Sequence, residues 1–283
     1  MRGSRIVAVA AVLVVLLAAG VVVALIGFPD HLPVRIGRAC EVRTEVGTVY
    51  LNADQMANAA TIAAVGIRRE LPERAVVVAL ATALQESKLE NVSGGDQDSV
   101  GLFQQRPSQG WGSPTEISDP RYAAGRFYSA LVRIRGWEKL RVTVAAQRVQ
   151  RSAYPEAYEK WSDEATVLAE ALTGRATSAV ACARGSADPT VVGPAAAAAL
   201  GSGLRLDWGS VRTVASSDIV GVDVAAGTET TGWQMAHWLV AHSDARGVAR
   251  VRFGNREWNA DAGVWRDLDS GAATERVVAE VYP

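Results

Sequence analysis

The chain has 283 residues, 49% apolar and 21% charged, with 29 Lys and Arg against 30 Asp and Glu and a formal net charge of −1. That balance leaves no electrostatic footprint for nucleic acid, and no such partner is expected. Two cysteines and three histidines (His31, His237, His242), scattered along the chain, form no ligand cluster, so neither a metal nor a cofactor is expected.

Arg2 and Arg5 precede an unbroken apolar run of 23 residues from Ile6 to Phe28, ended by Pro29 and Asp30. At about 1.5 Å per residue such a run spans a bilayer core of roughly 30 Å, and residues 1–29 read as a transmembrane signal anchor. The arginines before it are expected to stay inside, which sends the remainder across the membrane. The alternative is a cleaved signal peptide and a secreted protein; the run exceeds the usual signal core, and no small-x-small site follows it. Either way the bulk of the chain is exported, and Cys40 and Cys182 lie where disulfides persist. They bracket one segment, and a bridge between them is expected.

That segment, 40–182, reads as helical, with no strand pattern. Asn52 and Asp54 can cap a helix running to about Glu70, with Met56, Ala60, Ala63 and Ile67 on one face. Pro72 and Glu73 open a second. From Ala75 to Leu84 every residue except Thr82 is apolar, so this helix is expected in the middle of the domain, and Glu86 stands at its end. Residues 91–118 hold five glycines and two prolines among polar residues, a long loop of the functional kind. Asp119 and Pro120 open a helix carrying Phe127, Leu131 and Ile134 and ending near Gly136. A short helix from Thr143 follows. The last runs from near Pro155 to Gly174, with Tyr158, Trp161, Ala165, Leu168 and Leu172 on one face.

Glu86 is the candidate acid. A carboxylate held against an apolar wall resists ionisation, and a protonated carboxyl is what cleavage of a glycosidic bond requires. The loop after it supplies material for a sugar-binding groove. Gln104, Gln105, Asn91 and Ser99 offer hydrogen-bonding edges for hydroxyl and acetamido groups, while Phe103 and Trp111 offer apolar faces. The plain alternative is a solvated glutamate at a helix end.

Glu86-Ser87 in QES, followed by Gly101-Leu102-Phe103-Gln104 in SVGLFQ, resembles the first two signatures of the soluble lytic transglycosylase and goose-type lysozyme families. Their third signature, Ala-Tyr-Asn, has a counterpart in Ala145-Ala146-Gln147. The run LFQQRPSQGWG is also similar to exported modules of high-GC Gram-positive bacteria. The resemblance covers about residues 40–182 and implies a lysozyme-like fold acting on the β-1,4 link between N-acetylmuramic acid and N-acetylglucosamine in peptidoglycan. It makes Glu86 the acid and base, gives Ser87 a supporting role, and assigns sugar binding to the surroundings of Gln104: Ser99, Gly101, Phe103, Gln105, Gln147 and Tyr154. Two positions depart from the pattern. Phe103 replaces a methionine, and Ala146 replaces the tyrosine that contacts the catalytic carboxyl, a contact that Tyr128, Tyr154 or Tyr158 would have to restore.

A lytic transglycosylase needs one carboxylate, whereas an inverting hydrolase needs a second one as base. Asp96 and Asp98 are the candidates for that base, and turn residues bonding their own backbone are the alternative. The transglycosylase leads, with a lysozyme-type hydrolase and a non-catalytic wall-binding or assembly protein as rivals.

Residues 183–203 are small and nearly uncharged and read as a linker. From 204 to 283 a small α+β domain is expected: strands in IVGVDV and VARVRFG, a helix in TTGWQMAHWLVAHSDARG stopped by Gly247, and a hairpin turn at Gly254-Asn255. It carries five of the eight tryptophans (Trp208, Trp233, Trp238, Trp258, Trp265), read as core. His237 and His242 stand about 140° apart on a helix and do not converge. The domain resembles C-terminal domains of uncertain function on exported wall modules; its partner is unknown. The fold class is thus mainly α, a lysozyme-like helical domain followed by a small α+β domain.

Overall fold

The computed structural model describes residues 39–185, 188–211, 219–269 and 275–283. The apolar run at 6–28 lies outside them. No helix among the described residues is long and apolar enough to cross a membrane.

The first described elements correct the all-helical reading of the segment between the cysteines. β1 (Ala39–Thr44) and β2 (Gly47–Asn52) form an antiparallel hairpin, and β3 (Val180–Cys182) pairs with β1 on its other side, giving the order β2-β1-β3. Cys40 and Val42 in β1, and Val49 and Leu51 in β2, point inward, whereas Tyr50 is exposed. The alternation is present in the sequence, but each strand offers only two inward positions. In the register Cys40 faces Cys182, and the two form the expected disulfide across 142 residues.

β2 runs directly into α1 (Ala53–Arg68). Asn52 caps it as the sequence suggests, in a reciprocal capping box with Gln55. α2 (Glu73–Ser87) follows, with Pro72 as its N-cap rather than in its first turn. Every residue of α2 from Ala75 to Leu84 is buried, because α1, α4 (Pro120–Leu131), α5 (Val142–Gln150) and α6 (Ser162–Leu172) pack around it. An apolar helix with no polar face has no stable place except such a centre. The loop 91–118 contains a 3₁₀ turn, Pro107–Gln109, and a four-residue helix, α3 (Pro114–Ile117). α4 starts on its Asp119 cap but stops at Leu131, short of Gly136. The expected helix from Pro155 is turn and 3₁₀ structure up to Trp161, and only Ser162–Leu172 is α-helix.

Residues 193–203, read as linker, are instead the first part of α7 (Gly193–Trp208). Alanine is the strongest helix former, and Pro194 sits in the first turn, where its missing N–H costs nothing. Ala196, Leu200 and Leu204 are fully buried, so the boundary drawn at 204 falls inside a packed helix. Beyond it β4 (Gly221–Ala225), α8 (Glu229–Ala241), the one-turn α9 (Ser243–Arg246), β5 (Val248–Phe253), β6 (Arg256–Asn259), β7 (Val264–Asp267) and β8 (Arg276–Val281) complete the chain. The strands form one antiparallel sheet in the order β4-β8-β5-β6-β7. Gly247 ends α9 with positive φ, and the β5–β6 hairpin turns on Gly254-Asn255, where Gly254 takes φ +59°.

One face of this sheet is apolar. Val222, Val224, Val251, Phe253, Val277 and Ala279 meet α7 and α8 there. Arg252 pairs with Glu257 at 2.9 Å and with Glu280 at 2.6 Å, an ion-pair lattice that only a sheet with one solvated face can carry. Trp233, Trp238 and Trp258 are buried, and Trp208 and Trp265 pack at the edge of the core, in keeping with the core reading.

The helical region and the sheet belong to one packed unit from Ala39 on. The Trp265 indole donates to Val180 O at 2.7 Å, and Gln234 donates to Thr173 O at 2.9 Å. His237, fully buried, donates from Nδ1 to Ala171 O at 2.7 Å and accepts the Ala179 N–H on Nε2 at 3.0 Å, which fixes its neutral tautomer. Asp207, at the end of α7, is also fully buried. It forms an ion pair with Arg121 at 2.5 Å and accepts from Thr61 (2.9 Å) and from the Trp238 indole (2.8 Å), with the His242 ring beside it.

Candidate functional site

α2 ends at Ser87, and the chain leaves it through two successive residues in the left-handed region, Lys88 (φ 59°) and Leu89 (φ 63°). Neither is glycine, and each such residue costs on the order of 1 kcal/mol that the surroundings must offset. They do so with side-chain bonds from α1: Gln55 donates to Lys88 O at 2.9 Å and Asn58 to Leu89 O at 2.8 Å. Lys88 folds back, its ammonium 3.0 Å from Leu84 O and 4.2 Å from the centre of the Trp161 ring. Burial, and then the nearby Lys160, hold its pKa below the usual lysine range. The end of the central helix is therefore fixed by the protein around it.

Glu86, the residue before Ser87, lies half-buried, and the structure supplies the contact that Ala146 had put in question. Tyr158, fully buried, donates its hydroxyl to Glu86 Oε1 at 2.7 Å. Of the other two tyrosines, Tyr128 is spent on Ile62 O at 3.0 Å, and Tyr154 is exposed. Burial, followed by the adjacent Glu86 carboxylate, raises the Tyr158 pKa far above its ordinary value, so the hydroxyl keeps its proton and remains a donor. A second donor was missed in the sequence: Gln150, the last residue of α5, gives Nε2 to Glu86 Oε1 at 3.0 Å and to Phe103 O at 2.8 Å. The signal that could have found it is position. It lies three residues beyond Gln147, one turn further along the same helix face.

Both bonds fall on Oε1; among the described residues, Oε2 accepts none. The carboxyl is held by one oxygen through neutral donors, and the other oxygen is left for a proton. That is the arrangement a group needs if it is to act as acid and then as base.

The Gly101–Gln104 turn packs directly on this helix end. Ser87 donates to Leu102 O at 2.8 Å, which pins the turn to α2. Gly101 adopts φ +76° with Ile117 O only 2.8 Å from where a Cβ would stand, so no other residue fits. Phe103 is fully buried and stacks on Phe127 at 4.8 Å, so it is a wall of the core, and its carbonyl is the part that meets the site. Gln104 is half-buried with φ 46°, its amide donating to Gly101 O at 3.1 Å and its Oε1 packed against Gly95.

The remaining candidates divide. Gln105 is 2% exposed and donates to Ala123 O at 3.1 Å, and its backbone pairs with Val100; the structure places it inside the loop and not on the groove surface. Ser99 is buried too. Gln147 is half-buried and donates to Ser152 O at 2.7 Å, leaving its Oε1 buried without a partner. Asn91 holds Ser118 O at 2.7 Å. Asp96 is exposed, and its side chain has no partner among the described residues. Asp98 is fully engaged: Oδ1 meets Arg106 at 2.9 Å and the Ser108 hydroxyl at 3.0 Å, and Oδ2 meets Ser108 N at 2.7 Å. The Arg106 guanidinium and then the Ser108 N–H hold its pKa down to about 2. A carboxylate in that condition is a poor proton acceptor.

On the far side of Gln150 opens a groove of about 750 Å³ between the loop at Gln109–Trp111, the end of α4 and the end of α5. No group of three or more Cys, His, Asp or Glu side chains suited to a metal ion is present among the described residues. Compared with known proteins, the chain matches no protein-family profile and no curated protein.

Proposed function

We propose that the protein is a peptidoglycan lytic transglycosylase that uses Glu86 as its single acid and base. The observation that carries the reading is the carboxyl of Glu86 anchored through Oε1 by Tyr158 and Gln150 with Oε2 free. In the first half of the reaction Glu86 gives its proton to the oxygen leaving the muramic acid C1. In the second, the resulting carboxylate takes the proton of the C6 hydroxyl of the same sugar as that oxygen bonds to C1. No water is consumed, and the product is a 1,6-anhydro ring. Tyr158 and Gln150 donate to the oxygen that carries the transient charge, which stabilises the carboxylate between the two steps. The lysozyme-like fold implied by the two signatures belongs to the same proposal, as does action outside the membrane, which rests on the apolar run at 6–28.

Asp98 disfavours the hydrolytic alternative, since its oxygens are occupied and its proton affinity is low. The test is a digest of isolated peptidoglycan by the full chain, with products separated by mass. Anhydromuramic ends that vanish with Glu86→Gln are expected. Reducing-end muramic acid alone would make the enzyme a hydrolase, and an undigested wall would make the protein a binding module.

A further inference from the structure

The groove beside Glu86 has a charge that glycan cleavage does not explain. Arg126 of α4, Arg133 just beyond it, Arg148 of α5 and Arg151 at the C-cap of α5 all line it, and no Asp or Glu does. Arg126 spends one N–H on Gly110 O at 2.8 Å. The side chains of Arg133, Arg148 and Arg151 are exposed and make no hydrogen bond or ion pair among the described residues. In a chain of net charge −1 this is a marked local excess.

Helix dipoles explain part of it, since cations at helix C-termini are favourable. They do not require two helices to place four arginines around one cavity whose lining holds no carboxylate. Like charges gathered around a concave surface repel each other and raise the local concentration of anions. The walls between them are apolar: Trp111, Ile134 and Val149. The groove begins one side chain from the acid, because Gln150 both lines it and bonds Glu86. Its volume lies in the ~300–1,000 Å³ range of sites for small ligands.

Resting on the proposed function, we infer that this groove binds the stem peptide carried by the muramic acid whose bond is cut, through that peptide's carboxylates. Sugar hydroxyl and acetamido groups are neutral and have no need of unpaired guanidinium groups. The peptide is the anionic part of the substrate, and it hangs from the lactyl ether of the sugar that Glu86 acts on, so it falls within reach of a neighbouring groove. Guanidinium forks match carboxylates in pairs, and the apolar walls accommodate alanine methyl groups.

The test is binding to the full chain carrying Glu86→Gln, which removes turnover, with three probes: the disaccharide tetrapeptide, the same compound with its carboxyl groups amidated, and poly(glycerol phosphate). Amidation is expected to weaken binding at least tenfold. The triple variant Arg133→Gln, Arg148→Gln, Arg151→Gln is expected to do the same and to melt with the parent, since those side chains hold nothing in the fold. Equal binding of the native and amidated compounds would overturn the inference, as would arginine-dependent capture of poly(glycerol phosphate) with no capture of the disaccharide tetrapeptide. If binding is arginine-dependent but the native chain leaves glycan strands uncut, the peptide site stands and the catalytic reading fails.

Discussion

Two carboxylates, Glu86 and Asp207, sit at the ends of two helices, and their surroundings differ in every respect that matters for chemistry. Asp207 has no exposure and is met by the charge of Arg121, the Thr61 hydroxyl and the Trp238 indole. Glu86 is half-buried, accepts hydrogen bonds only from neutral donors and only on Oε1 among the described residues, and adjoins a groove through Gln150. The Asp207 carboxylate ties α7 to α1, α4 and α8, whereas the Glu86 carboxylate holds α2 to the end of α5 and to Tyr158 through one oxygen.

The sharpest way to break that comparison is to remove each charge in turn. Glu86→Gln keeps the volume and the contacts of the carboxyl, and it is expected to reduce bond cleavage by at least ~10³-fold, to the limit of a muropeptide assay, with the melting temperature unchanged. Asp207→Asn is expected to do the reverse. It should cost about 3 kcal/mol in chemical denaturation, the lower end for a broken buried pair because the Arg121 side chain keeps 24% exposure, and leave activity per folded molecule intact. If Asp207→Asn abolished activity without loss of stability, the division between the two carboxylates would be wrong.

Tyr158→Phe gives the next largest effect. It removes one donor from Oε1 while the ring stays packed, so kcat should fall by about 10- to 100-fold with a stability change of about 1 kcal/mol. A variant as active as the parent would mean that Gln150 alone holds the carboxyl.

The most gradual effect is on pH. Burial lowers the pKa of His237 to about 4, and burial also lowers that of His242 to about 4 against the opposing pull of Asp207. An unfolded chain binds a proton on each ring near pH 6.5, where the folded chain does not. Stability is therefore complete above about pH 6.5, falls as pH drops toward 4, and stops changing on this account below it. For His237 the loss is roughly 3 kcal/mol at most. Melting temperatures between pH 7 and pH 4 measure it, and His237→Gln should flatten part of the slope.

How much of this was legible depended on distance along the chain. The capped start of α1 and the buried run of α2 are local patterns, and they read correctly. The partners of Glu86 lie 64 and 72 residues downstream; the helical spacing from Gln147 points to Gln150, but nothing in the local sequence of Tyr158 says that it converges there. Tyr158 could be proposed only as one of three tyrosines. β1, β2 and β3 were hidden because strands with only two inward positions resemble loop. α7 was hidden for the opposite reason: its alanines, good helix formers, are also the small residues of linkers, and only its burial against α1 and β4 decides between them. Gln105 and Phe103 carry the right chemistry for sugar, yet the fold uses them to build the turn.

The bond between Cys40 and Cys182, 142 positions apart, turns the chain between them into a covalent ring, with Glu86, Gln150 and Tyr158 all inside it and the five-stranded sheet outside. A single proteolytic cut in the exposed stretch near Asp96 would open that ring without releasing either piece. The clipped molecule would run as one band until reduced, its two pieces still joined at the edge of the three-stranded sheet.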